Sequence, residues 1–349
     1  MSSDILTRFV LFFLAFTTTC FVLPFIIKIA INLNLFDSIN KRKVHTNKIP
    51  NIGGIGIIFG FIVSQLFYIL DIPFIRIHME EYYLLLYSTV ILFIMGLIDD
   101  IKHIKAYKKF AFQLLIALIL VWKADMRVES FYGLFGLYEL PLWISYIFSI
   151  MVFLFFINAY NLIDGLDGLS SSTGIYILMV FFGIFYINNS IIEGMITVSL
   201  MGALLGFFIF NKPPAKIFMG DSGSLSIGLI IAFFSIRISN LPLDSIGTIN
   251  PVFPMIVLAY PAIDTLRVFF IRWMNGVSPF VADKNHIHHA LLELDLSHGK
   301  STIFVVGLSV LFSLVAYQLR LSPNISFFIL VPLIILVSNI PSILLLKRK

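Results

Sequence analysis

Apolar residues fall in eleven long runs, near residues 5–31, 52–70, 82–98, 110–123, 142–158, 171–188, 191–210, 224–239, 251–271, 303–319 and 325–346. About 20 consecutive apolar residues cross the hydrocarbon core of a bilayer. In that core every backbone N–H and C=O must find its partner inside the protein, so only helices and closed barrels span it. A barrel needs short strands of alternating polarity, and these runs do not alternate. The pattern predicts an all-α polytopic membrane protein of about eleven transmembrane helices, one integral unit over residues 1–349. The runs at 110–123 and 142–158 are short, which suits tilted or re-entrant segments. Composition excludes the soluble alternative: 59% of residues are hydrophobic and 12% charged, against roughly a quarter charged in soluble domains. The single cysteine, Cys20, allows neither an internal disulfide nor a cysteine metal cluster. The opening MSSDILTRFVLFFLAF lacks the basic flank and small-residue cleavage site of a removable signal, and reads as a retained span.

Eleven spans put the termini on opposite faces, and Lys and Arg decide which face is cytoplasmic. One set of loops carries Lys41, Arg42, Lys43, Lys48, Lys102, Lys105, Lys108, Lys109, Lys212, Lys216, Lys284, Lys300 and the terminal KRK. The other carries only Arg8, Arg76, Lys123, Arg127, Arg237 and Arg320. The amino terminus is therefore expected outside and the carboxyl terminus in the cytoplasm. The net charge of +5 is mostly this asymmetry, and it gives no reason to expect nucleic-acid binding. The same topology sends Asp99, Asp100, Asp164, Asp167, Asp221 and Asp283 to the cytoplasmic side, each at a span end or beside other unusual residues.

Five cytoplasmic stretches carry chemistry. GLIDDIKHIKAYKK, 96–109, ends a span on Asp99 and Asp100 and continues with four lysines. A helix carboxyl end disfavours acids, because its dipole is negative there, and adjacent carboxylates raise one another's pKa. Both facts suit a base or cation ligand better than the plain reading, a positive-inside anchor. NAYNLIDGLDG, 158–168, places two amides, two acids and two glycines in one segment; it lacks the acid spacing of an EF-hand. NKPPAKIFMGDSGSLSIG, 211–228, enters a span through GDSGS. A helix start leaves backbone N–H groups that favour a phosphate, and Asp221 is placed for a hard cation bridging phosphates. The plain reading is an N-cap. SPFVADKNHIHHALLELDLSHG, 278–299, holds His286, His288 and His289 within four residues. Their spacing is unlike the one-face pattern of helical zinc sites, so a patch binding phosphate or sugar is preferred to zinc. DSINKRKVHTNKIPNIGGIGI, 37–57, brings basic residues, Lys43 among them, to a glycine pair opening a span. They are candidates for holding a substrate anion, against simple contact with anionic lipid heads.

Together these parts form an inventory for phosphoryl transfer: a metal site, positive charge for phosphates, and a base near the attacking oxygen. In order and over nearly the whole chain, IDD at 98–100, NAYNLIDGLDG at 158–168, FMGDSGS at 218–224, ADKNHIHH at 282–289 and HTNKIPNIGG at 45–54 resemble the motifs of the polyprenyl-phosphate N-acetylhexosamine-1-phosphate transferases. The resemblance implies transfer of a sugar 1-phosphate from a UDP-sugar to undecaprenyl phosphate in the bacterial cytoplasmic membrane, starting a cell-surface polysaccharide, with Mg²⁺ as cofactor and Mn²⁺ as a substitute. It implies that Asp99 is the base, with Asp100 beside it, that Lys109 contacts the pyrophosphate, and that Asn161 and Asp221 hold the metal. Asp167, Asn211 and Phe218 match the uridine pocket, Asp164 matches an essential acid, and Arg272 with the HIHH segment matches the sugar-recognition loop, 273–302, of the UDP-GlcNAc branch. That version of the loop argues against UDP-MurNAc-pentapeptide. Other UDP-aminosugars, a homodimer, and a covalent two-step route stay open. The rival from another class is a cation or proton transporter, which expects acids near the bilayer centre and an internal repeat.

Overall fold

The computed structural model describes residues 2–36, 49–71, 80–241, 252–276, 286–319 and 322–348. Helices dominate: α1 (Ser2–Asn32), α2 (Gly54–Asp71), α3 (Glu80–Lys102), α4 (Ala106–Lys123), α5 (Leu142–Leu162), α6 (Leu169–Ile187), α7 (Ile191–Asn211) and α8 (Gly220–Ser239) precede α9 (Val252–Val257), α10 (Ala259–Met274), α11 (Ile287–Glu293), α12 (His298–Leu319), the single turn α13 (Pro323–Ile325) and α14 (Val331–Arg348). Among the described residues, eight helices are long and apolar enough to cross a membrane, and α2 is a shorter apolar helix. The chain is an all-α, multi-pass membrane protein.

Several predicted runs take a different form. The short run at 142–158 extends to Leu162 as a full helix, so the amides of the NAYN stretch belong to the last turn of α5. The run at 251–271 is two helices, α9 and α10. Pro261 has no N–H to give the carbonyl four residues earlier, and the ladder breaks there. The final run opens in a π turn, Ser326–Leu330. Outside the helical expectation lies a small antiparallel hairpin, β1 (Ser130–Leu134) with β2 (Leu137–Glu139); aromatic residues around two glycines favour paired strands there.

Helix α8 is the axis of the bundle. Of its residues only Gly220, Asp221, Arg237 and Ser239 escape burial. Apolar positions all round the helix suit such a place, and its serines and glycines let neighbours approach closely. Helices α3 and α5 both pack against it, while α1 packs on α7 and α2. At the end of α8 remote from the motifs, buried Glu193 accepts from the Tyr82 hydroxyl at 2.6 Å and from Arg237 Nε at 3.0 Å.

Candidate active site

The site is organised by the first turn of α8. A Cβ on Gly96 would lie 2.6 Å from the backbone of Asp221 and Ser222, so only glycine lets α3 touch α8 there. Four residues later, in the last turn of α3, Asp100 reaches across: its two oxygens accept the N–H groups of Asp221 at 2.8 Å and Ser222 at 3.0 Å. Asp164, in the turn after α5, accepts the Gly220 N–H at 3.0 Å and the Ser170 hydroxyl at 2.6 Å. These bonds correct the expectation of open N–H groups awaiting a phosphate at GDSGS. Two carboxylates of the chain itself fill the anion-binding helix start.

Asp99, the other half of the acid pair, faces elsewhere. It is 7% exposed, and one oxygen accepts the Ile104 N–H, closing the turn from α3 into α4. The other accepts Lys109 Nζ at 2.7 Å, and the same Nζ lies 2.7 Å from Asp221 Oδ2. Asn161 Nδ2 donates to Asp221 Oδ1 at 2.9 Å and to Ser224 Oγ at 2.8 Å. Asp99, Lys109, Asp221 and Asn161 thus form one connected chain drawn from four helices. Of the four lysines after the acid pair, Lys102, Lys105 and Lys108 are exposed, and Lys109 alone turns inward. A mutual amide pair, Gln113 with Asn158 at 2.7 and 3.3 Å, ties α4 to α5 one turn from Lys109 and Asn161.

The predicted nucleotide residues surround the loop between α7 and α8. Asp167 is buried; its carboxylate accepts the Ala215 N–H at 3.1 Å and lies 3.4 Å from His298 Nδ1. Asn211 is 0% exposed. Its oxygen accepts from Gly168 N–H at 3.1 Å and the Ser171 hydroxyl at 2.7 Å, and its nitrogen donates to Ile217 O at 2.9 Å. Asn211 therefore braces the loop from behind, with no exposed atom. Phe218 is half-buried, in a segment strapped to the IPNIGG stretch: its N–H donates to Pro50 O at 2.8 Å and its carbonyl accepts from Gly53 at 2.9 Å.

The histidines are not on a surface. His286 and His288 are buried, and His289 is partly so. His286 Nδ1 lies 2.7 Å from Asp264 Oδ2, Ile287 N–H donates to Asp264 Oδ1 at 2.7 Å, and His288 Nδ1 lies 3.1 Å from the Tyr260 hydroxyl. Burial pushes His288 down to about 3, so its ring is neutral. Asp264, His286 and His288 each bring one ligand-type atom within 4.8 Å of the others. Arg272 is buried at the carboxyl end of α10. The segment expected to be one long loop, 273–302, contains α11 and the start of α12. Lys43, Asp283 and Lys284 lie outside the described residues.

Five residues that sequence reasoning passed over belong to this assembly: Ser170, Ser224, Tyr260, Asp264 and His298. One of them carried a signal. Asp264 interrupts the apolar run 251–271, and an ionisable residue inside a span is a functional candidate by default.

The described geometry joins the IDD, NAYN, FMGD and IPNIGG stretches at the start of α8, with the HIH segment docked against α10. The sequence model of glycosyl transferase family 4 matches residues 82–239, a stretch that contains every member of the Asp99–Asn161 chain. Over 341 residues the chain is 29% identical to the "Probable undecaprenyl-phosphate N-acetylglucosaminyl 1-phosphate transferase" of Bacillus subtilis (strain 168), covering 96% of this chain and 91% of that protein. It is 25% identical to the "Undecaprenyl-phosphate alpha-N-acetylglucosaminyl 1-phosphate transferase" of Yersinia pestis over 82% of this chain and 78% of that one. It is 30% identical to the "Decaprenyl-phosphate N-acetylglucosaminephosphotransferase" of Mycobacterium tuberculosis (strain CDC 1551 / Oshkosh), covering 76% and 70% of the two chains. The chain belongs to glycosyl transferase family 4.

Proposed function

We propose that this protein transfers N-acetylglucosamine 1-phosphate from UDP-N-acetylglucosamine to undecaprenyl phosphate and releases UMP. The relatives' printed activities support the substrates. The observation that carries the chemistry is the connected chain of Asp99, Lys109, Asp221 and Asn161. The cation-transporter alternative finds no support among the relatives.

A phosphate oxygen of the carrier lipid attacks the β-phosphorus of the nucleotide sugar. The new P–O bond forms as the bond from that phosphorus to the oxygen bridging the two phosphates breaks, and this oxygen leaves with UMP. Asp99 takes the acceptor phosphate's proton, and its contact with Lys109 places that base beside the positive charge that draws the phosphates in. Asp100 and Asp164 hold the α8 start rigid, so Asp221 keeps its aim. Asp167 and Phe218 bind the uridine, Asn211 braces their loop, and Arg272, His286, His288 and His289 recognise the sugar; Lys43 meets the lipid phosphate.

The residue types suit Mg²⁺, with Mn²⁺ as substitute: Asp221 and Asn161, held side by side by the Asn161 Nδ2 to Asp221 Oδ1 hydrogen bond, have a carboxylate and an amide oxygen to offer as hard donors, with substrate phosphates to complete the shell. Asp221 and Asn161 would hold the ion, which when bound neutralises charge on the pyrophosphate. The eleven-span arrangement belongs to this proposal, with the amino terminus outside, the carboxyl terminus in the cytoplasm and the site on the cytoplasmic face of a bacterial inner membrane. Its support is the lysine and arginine asymmetry.

The test is UMP release by purified protein supplied with Mg²⁺, undecaprenyl phosphate and a panel of UDP-sugars. UDP-N-acetylglucosamine is expected to be the preferred donor, with activity abolished in Asp221→Ala and Asp99→Asn. No UMP from any sugar, or full activity in both variants, refutes the proposal.

A further inference from the structure

Asp264 is 0% exposed and is the one acid of α10. Burying a carboxylate is expensive unless it is paired and hydrogen-bonded, so its partners show what it is for. One oxygen is committed to the Ile287 N–H at 2.7 Å. A backbone N–H can only donate, so that oxygen's role is fixed. The other oxygen faces His286 Nδ1 at 2.7 Å. A carboxylate only accepts, so Nδ1 carries a proton; in the neutral ring Nε2 is then the acceptor.

Local backbone makes this possible. His286 is the extended residue before α11, with φ −73° and ψ 149°, so its side chain and the next N–H turn together toward α10. Tyr260, one turn before Asp264, places its hydroxyl 3.1 Å from Nδ1 of His288. Two partners four apart on α10 thus grip two rings by the same ring atom. His288 Nε2 then lies at the backbone of Gly165, where an added Cβ would sit 3.2 Å away. The grip therefore directs the histidine segment at the NAYNLIDGLDG loop.

We infer that Asp264 is a positioning residue, which holds His286 with its proton on Nδ1 and presents Nε2 as acceptor to a hydroxyl or amide N–H of the donor sugar. The inference rests on the transferase reading for the identity of that ligand. It does not rest on that reading for the tautomer.

The informative variant is Asp264→Asn. Its single acceptor must serve Ile287, so its NH₂ faces the ring and drives the proton to Nε2. In detergent-purified full-length protein, ¹⁵N-histidine spectra, with His286 assigned by its loss in His286→Ala, are expected to show Nδ1–H in the wild type and Nε2–H in Asp264→Asn. The KM for UDP-N-acetylglucosamine is expected to rise about tenfold, the worth of one hydrogen bond, with a smaller change in kcat. In a His286→Ala background the same substitution is expected to add nothing further. An equal KM effect in both backgrounds would mean that Asp264 merely anchors α11, and the inference falls. It falls too if the wild-type ring carries its proton on Nε2, or if wild-type protein holds stoichiometric zinc that Asp264→Asn loses. If the wild type releases no UMP from any UDP-sugar, the transferase reading fails while the spectra still decide the tautomer. The wild-type spectrum also decides it if Asp264→Asn does not fold.

Discussion

Replacing Asp164 by Asn tests how the acids around α8 share their charge. Asp164 lies in the turn between α5 and α6, outside the spans. Burial pushes its carboxyl from 3.8 up to about 7; Ser170 and the Gly220 N–H pull it down, and the Asp221 charge pushes it up again. Between those values the folded chain holds a proton that the unfolded chain has released. This group's contribution is therefore undiminished below about pH 4 and falls as pH rises from about 4 to 7. Above that it stays reduced. The full interval is worth roughly 4 kcal/mol at 1.36 kcal/mol per pH unit. Protein atoms surround Asp164 densely, but its accessible surface is not zero. Water screens part of the penalty, and about 2 kcal/mol is the working figure. Asn keeps both contacts, its oxygen accepting from Gly220 and its NH₂ donating to Ser170, and it does not titrate. Melting curves of the purified proteins in EDTA, from pH 5 to pH 8, are expected to separate: Asp164→Asn gains stability over the wild type as pH rises, by several degrees at pH 8. Parallel curves, or a wild type that gains on the variant with rising pH, would refute the reasoning.

Asp100→Ala strips the acceptor from two N–H groups at the α8 start, and is expected to lower stability by about 1–3 kcal/mol in denaturant or thermal unfolding along with UMP release. Gly96→Val puts a side chain where the Asp221 backbone already lies, so α3 and α8 must part. Overpacking of this kind costs about 1–3 kcal/mol, and UMP release is expected to fall further than the melting temperature suggests. Chelation by EDTA is expected to abolish UMP release, with recovery on adding Mg²⁺ or Mn²⁺ but not Ca²⁺, followed by a coupled nucleotide assay. Tyr82→Phe removes the 2.6 Å bond to Glu193 far from the motifs; a loss of about 1 kcal/mol in stability with an unchanged KM is expected.

The membrane architecture was legible because a bilayer sets one length and one polarity for every span, and α1, α3, α7 and α12 obey it openly. Where helices broke, the cause was a single missing donor at Pro261, which apolar content hides. The acid pair shows a different limit. Asp99 and Asp100 are chemically identical and adjacent, yet one faces Lys109 and Asp221 while the other caps α8. A helix turns about 100° per residue, so only the way α3 crosses α8 separates their tasks. Gly96 permits that crossing, and nothing near it in the sequence names α8 as its partner. Asp164 was marked by its motif but not explained by it, because its donors, Ser170 and Gly220, stand 6 and 56 residues away. Asp264 shows the reverse. The residue was visible as an acid among apolar neighbours, while its meaning depended on a histidine 22 residues later.

The two halves of the site hang from different beams. Asp100, Asp164 and the IPNIGG strap all fasten to the turn from Phe218 to Ser222, whereas His286 and His288 fasten to Tyr260 and Asp264 on α10. The residues proposed to handle the pyrophosphate and those proposed to read the sugar are thus anchored on different helices, and they meet where His288 Nε2 faces Gly165. Under the proposed function, redrawing the α10–α11 attachment is expected to change the sugar contacts while the attachments to the α8 start stay in place. Swapping that attachment between relatives is accordingly the natural route to a new sugar preference.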